Sequence, residues 1–173
     1  MSNVRRRKPL LPTLFVESQA SPPLVQGSPQ STKADSMKNN LLTTVPRILL
    51  GLVFLVGAID GFSFVLTGSH LVHPPTSDKG LAFEAGLKAA GFFWPLMKSV
   101  EFVGALCLLT NKAPAFGLAL LSPIMAVIVL FHFTLNPGGI PLALILVATG
   151  GMLAYQYRGN FVSLAQSPVK RDA

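Results

Sequence analysis

Four ionisable residues, Asp60, Lys98, Glu101 and His132, stand inside otherwise apolar runs of this chain, and they are the residues best placed to do chemistry. Glu and His can be tuned by their surroundings to exchange protons near neutral pH, and Asp, Lys and Glu together can act as relay groups. Lys98 and Glu101 fall within FFWPLMKSVEFVGALCLLTNK, a run long enough to cross a hydrocarbon core of about 30 Å. Each charge near the centre of such a helix costs about 2.5–3.5 kcal/mol on insertion scales, against about 0.3–0.6 kcal/mol returned by each Leu, Ile, Phe or Val. The segment therefore cannot sit alone in lipid. Lys98 is near enough to the outer end to extend its amine to the headgroups, whereas Glu101, about 12 Å below Phe93, has no such exit. Glu101 is left with an interhelical hydrogen bond or a place in a site. Rise per residue puts Asp60 about 9 Å, Lys98 about 7 Å and His132 within about 5 Å of the same boundary. One shared polar pocket is the expectation, with Lys98 neutralising Asp60 and His132 approaching Glu101.

Other chemistry has less to stand on. His70 and His73 have HxxH spacing, but Pro74 and Pro75 follow and no helix is evident to put both imidazoles on one face, so no metal site is expected. Cys107 is the only cysteine, which excludes an intrachain disulfide and a cysteine-rich metal site. No haem-attachment spacing, flavin or nucleotide motif or nucleophile constellation is visible.

The elements that must position these groups are helices. The chain is 50% hydrophobic and only 12% charged, where soluble domains carry about a quarter charged residues. Four apolar runs, at about 45–66, 92–110, 114–135 and 140–157, predict an all-α, four-helix membrane bundle occupying residues 37–160. Pro46, Pro95, Pro114 and Pro141 are each expected in an opening turn, where the absent N–H has no intrahelical partner. Pro123 falls inside the third run. Gly57 and Gly61 form GxxxG around Asp60 and, with Gly104, are expected to pack helices closely; Gly150 and Gly151 permit close contact in the fourth run. In the long connection before the second run, Phe83, Leu87 and Ala90 share a helical face and Glu84 and Lys88 pair at i, i+4, predicting a short interfacial helix over Gly80–Ala90.

The formal charge of +7 comes mostly from residues flanking the apolar runs, which suits anionic lipid and topology rather than nucleic acid. Counting Lys and Arg places both termini in the cytoplasm, with Trp94 in the outer aromatic belt and Tyr155 and Tyr157 in the inner one. Residues 1–36, basic and then rich in Ser, Pro and Gln, are expected to be a disordered tail, and Met37 a natural start; residues 161–173 are expected to be a cytoplasmic tail. The patch Leu10–Val16 is broken by Pro12 and is short for a secretory signal.

PRILLGLVFLVGAIDGFSF and PLMKSVEFVGALCLLTNKAPAFGLALLSPIMAVIVLFHFTLNPGGIPLAL, spanning Val45–Arg158 with their loop, resemble the DoxX family of small four-span membrane proteins, chiefly bacterial. Arg47, Gly51, Gly57, Gly61, Glu101, Gly104, Leu108, Asn111, Pro123 and His132 stand where that family's recurring residues would. The family takes its name from a subunit of a thiosulfate:quinone oxidoreductase, and some members look like partners of redox or thiol-stress enzymes. The GxxxG face, the interfacial helix and the lack of catalytic motifs, taken with this resemblance, lead to the expectation of a non-catalytic plasma-membrane subunit or scaffold with a membrane or peripheral redox protein, or further copies of itself, as partner and a quinone head or a lipid as ligand. Two other readings stay open: a quinone-linked oxidoreductase subunit in which Glu101 and His132 handle protons, and a small transporter with Asp60, Lys98 and Glu101 as relay groups.

Overall fold

Each apolar run is a helix, as it must be where a segment has no neighbouring strand or water to satisfy its N–H and C=O groups. The computed structural model describes residues 29–166. In chain order these form α1 (Pro29–Thr67), α2 (Asp78–Ala89), α3 (Phe93–Thr110), α4 (Pro114–Thr134), a 3₁₀ turn (Pro137–Gly139), α5 (Ile140–Gln156) and α6 (Arg158–Gln166), with no strand among the described residues. Four stretches are long and apolar enough to cross a membrane: Asn40–Thr67, Phe93–Thr110, Pro114–Thr134 and Pro137–Gln156.

The ends of these helices follow local chemistry, with two departures from expectation. Pro114 and Pro141 do start α4 and α5, but Pro46 lies inside α1. No Gly or Pro interrupts the polar stretch between Pro29 and Pro46, so the helix runs upstream through it and forfeits only the bond that Pro46 cannot donate. Residues 29–36 thus belong to α1; the rest of the expected N-terminal tail, and residues 167–173 of the C-terminal one, lie outside the described residues. The second departure is at α2, which begins at Asp78 rather than Gly80. Ser77 caps it, its Oγ accepting the Gly80 N–H at 3.1 Å, and Asp78 and Lys88 complement the helix dipole at the two ends.

α1 packs against α3 and α5, and α4 packs against the same two. The core draws on all four: Leu50 and Phe54 of α1, Ala105 and Leu108 of α3, Leu118 and Leu121 of α4, and Leu146 and Leu153 of α5. At one end the α1–α3 seam is closed by Arg47, which is buried and donates from Nη1 to the Leu108 carbonyl at 2.6 Å. The Asn111 N–H reaches the same carbonyl at 3.3 Å from a left-handed cap, so a cation and an αL residue together satisfy the C-terminus of α3. Tyr157, just past α5, belongs to this end: burial pushes its phenol up, and the Arg47 guanidinium partly opposes that.

Outward faces are apolar too. Phe116, Leu130, Val56 and Leu144 are all more than half exposed, and a surface of this kind is unfavourable in water but not in hydrocarbon. The architecture is that of four apolar helices compatible with a multi-pass membrane protein.

Gly117 and Gly104 set the closest approach of α3 and α4. A Cβ on Gly117 would meet the Gly104 carbonyl oxygen at 2.8 Å, backbone that cannot swing aside, whereas one on Gly151 would meet nothing within 4 Å. Gly117→Ala is therefore expected to destabilise the protein by about 1–3 kcal/mol through overpacking. Gly151→Ala should leave the thermal transition in detergent unchanged or slightly raised. Equal transitions for the two variants would mean that α3 and α4 are not in contact there.

Candidate functional site

Lys98 and Glu101 pair with each other. One turn of α3 separates them, and Lys98 Nζ donates to Glu101 Oε1 at 3.0 Å and Oε2 at 2.9 Å, with side-chain exposures of only 12% and 3%. α1 makes room for this. A Cβ on Gly61 would collide with the aliphatic stem of Lys98, and one on Gly57 would lie 3.5 Å from Glu101 Oε2. The two glycines thus leave a notch in α1 into which the ion pair of α3 docks. Gly104, by contrast, receives the Leu121 side chain from α4, where a Cβ would stand 2.6 Å from Leu121 Cγ.

The pair also forms part of a cavity of about 480 Å³. Its walls come from α3 (Trp94, Met97) and α4 (Ile124, Ile128), its roof from Pro74–Thr76 and the Phe83–Leu87 face of α2, and His132 and Asn136 close one side. The lining is mostly apolar with a few convergent polar groups, the usual composition of a small-molecule site. Trp94 is buried and stands between two cations, Lys98 Nζ at 5.0 Å and Lys88 Nζ at 4.7 Å from its ring. Its Nε1–H has no acceptor among the described residues. A shallower groove of about 310 Å³ between α4 and α5, lined by residues such as Met125, Val147 and Gly151, carries no charged group.

The expected polar residues are therefore divided. Glu101, Lys98 and His132 face one cavity, but His132 does not bond Glu101: its Nδ1 meets the Asn136 carbonyl at 3.3 Å and its ring is edge-on to Phe131. Asp60 does not pair with Lys98 and does not line the cavity. The chain reverses after α1 at Gly68, where φ is 76°, and folds back so that Asp60 Oδ2 meets His70 Nδ1 at 2.7 Å while Oδ1 accepts the Leu71 and Val72 N–H groups at 2.6 and 2.9 Å. Three partners supplied by the following loop outcompete a lysine one helix away. Trp94 is likewise an interior residue rather than part of an exposed belt, while Tyr155 is exposed beneath the Arg158 guanidinium at 4.2 Å.

Lys88 and His70 also join this region, although neither the HxxH spacing of His70 and His73 nor the i, i+4 pairing of Glu84 and Lys88 pointed to a contact between them. Lys88 Nζ lies 3.0 Å from His70 Nε2 and 3.3 Å from Glu84 Oε2. Only the Glu84–Lys88 spacing was legible beforehand. The i, i+3 spacing of Lys98 and Glu101 is the signal that would have found the central pair. Compared with known proteins, the chain matches no family model, no curated sequence and no solved structure.

Removing one partner of a buried pair strands the other, at a cost of about 3–5 kcal/mol. Lys98→Met should accordingly lower stability by that order, and Lys98→Met combined with Glu101→Leu should cost clearly less than the sum of the single losses. Strictly additive losses in the double-mutant cycle would contradict the pairing.

Proposed function

We propose that this protein is a four-span integral membrane subunit of DoxX type whose cavity receives the head group of a lipid-soluble ligand, with quinones as the favoured class. In this reading the four long helices form a single bundle, α2 lies along the outer interface, and the chain itself is a non-catalytic scaffold for a redox or stress-related partner in the bacterial inner membrane. The observation that carries it is the cavity, apolar along its walls and bounded by the Lys98–Glu101 pair, His132 and Asn136. A ring with carbonyl oxygens suits such a space: the walls take its apolar faces, and the ammonium can donate a hydrogen bond without adding net charge. A buried indole N–H without an acceptor costs about 1–3 kcal/mol, and a ligand oxygen is one means of satisfying Trp94.

The orientation rests on charge. Arg47 and Leu108 meet at one end of α1 and α3, which groups Arg47 with Lys112 at that end. Lys79, Lys88 and Lys98 belong to the other, so the positive-inside rule directs both termini to the cytoplasm. A quinone-linked oxidoreductase is the second reading, favoured by one observation, that Glu101 and His132 open onto the same cavity and could exchange protons with a bound quinone.

The test is direct. A short-chain quinone at about a hundredfold above its Kd should stabilise the purified protein by about 2.7 kcal/mol. Ile128→Phe, which fills the cavity with an apolar ring, should abolish that stabilisation while leaving the ligand-free transition nearly unchanged. Native mass spectrometry after gentle-detergent extraction should find quinone on the wild type. No quinone by mass spectrometry and no stabilisation by any quinone would rule the ligand class out.

A further inference from the structure

The roof of the cavity is a distinct segment with marked ends. Gly68 and Gly91 both have left-handed backbone, with φ of 76° and 70°, and between them lie the Pro74–Thr76 stretch and α2, whose Phe83, Glu84 and Leu87 cover the cavity. Two sets of bonds hold this segment down. Toward α4, the Ser77 N–H donates to Asn136 Oδ1 at 3.2 Å and the Ser77 hydroxyl to the Leu135 carbonyl. Toward α1, Asp60 Oδ1 accepts the Leu71 and Val72 N–H groups, and His70 carries the connection on to α2. Its Nδ1 faces Asp60 Oδ2, its Nε2 faces Lys88 Nζ, and its ring stacks on Phe64 at 4.7 Å and stands edge-on to Trp94 at 6.2 Å. His70 thus links α1, the loop and α2, and Lys88 of α2 also lies over the Phe64 ring of α1.

We propose that Gly68–Gly91 is a gate over the cavity and that His70 is its latch, closed when the imidazole is neutral and released when it is protonated. The bonding pattern specifies the neutral ring. Nδ1–H donates to the Asp60 carboxylate, and the lone pair on Nε2 accepts an N–H from the Lys88 ammonium. A proton on Nε2 removes that acceptor and sets an imidazolium against an ammonium 3.0 Å away. The Asp60 side of the latch then strengthens, while the Lys88 side, which carries α2, lets go. The charged groups around the ring are few: Asp60 from α1, Lys88 and Glu84 from α2, and, across Trp94, Lys98 from α3. Once freed from His70, Lys88 retains Glu84 on its own helix. What then remains is the face of Phe64, 4.4 Å from the ammonium, which ties α2 to α1, and the face of Trp94, 4.7 Å away, which ties α2 to α3.

The inference rests on the reading of the cavity as a binding site, since a gate has a use only there, but the latch and the opening can both be measured with no ligand present. Trp94 is the only tryptophan, so its emission and acrylamide quenching report on the latch without labelling. In the full-length protein in nanodiscs, quenching and amide exchange at Leu71 and Val72 should change in one titration step as pH falls from about 8 to about 5, the range in which imidazoles gain charge. Across the same step, maleimide labelling of a Cys107→Ser/Ile128→Cys variant, whose only thiol lines the cavity, should accelerate severalfold. His70→Phe keeps the ring and loses both nitrogens; it should quench and label at the open-state rate at every pH. Lys88→Gln keeps a donor for Nε2 without the charge; it should stay closed near pH 8 and open with its midpoint moved to higher pH. A flat wild-type profile, a His70→Phe profile that still changes with pH, or an unmoved Lys88→Gln midpoint would each overturn the latch, and labelling that stays constant while Trp94 quenching changes would overturn the gate. Failure of every quinone to bind would remove the ligand class and leave each of these results standing.

Discussion

A buried ammonium and a buried carboxylate on one face of α3 dictate much of what surrounds them. Neither can turn to hydrocarbon, and neither is left to water, so α3 must press that face against protein. The notch at Gly57 and Gly61 is where α1 accepts it. The same seam is tied at its other end by Arg47 on the Leu108 carbonyl, and between the two polar ties Leu50, Phe54 and Ala58 fill the gap as fully buried residues. Polar contacts at both ends with apolar packing between them determine the register of α1 on α3, because sliding either helix would break an expensive buried bond at each end.

The seam between α3 and α4 is different in kind. Near Gly104 and Gly117 the backbones almost touch, but beyond Leu121 the space between Met97–Glu101 and Ile124–His132 is open and forms the cavity. One ion pair therefore serves two surfaces of α3, closing its contact with α1 and supplying the charged part of the cavity wall. This is economical in a helix that can accommodate few charges: a polar group used for packing is already dry, pre-oriented and fixed in place where it faces the cavity.

Above the cavity, aromatic rings and cations alternate. Phe64, His70, Lys88, Trp94 and Lys98 form a continuous series of stacked, edge-on and cation–ring contacts. Such contacts are individually worth about 0.5–2 kcal/mol and weakly directional, which makes them suited to a covering that must hold its place and still move. The firm, directional bonds in this region are those of Asp60 to the loop backbone, and they anchor the loop next to its hinge at Gly68.

The linear chain determined the elements that hydropathy alone controls. Long apolar runs with prolines at their starts became helices at nearly the expected bounds in α3, α4 and α5, and the identity of the buried charges was plain because charges are rare in such runs. Helix α1 was misjudged at its start, since a polar stretch without a breaker extends a helix as readily as it forms a tail. What only the tertiary structure decided was which charge meets which. Depth along a helix is a one-dimensional quantity that by itself gathers Asp60, Lys98, Glu101 and His132 at similar levels; pairing depends on the angle around each helix axis and on where a loop returns. The reversal at Gly68 gave Asp60 to His70 and the loop amides, and the i, i+3 geometry of α3 gave Glu101 to Lys98, because a partner on the same turn or the next loop is positioned by the backbone itself, whereas one on another helix must await the packing of both.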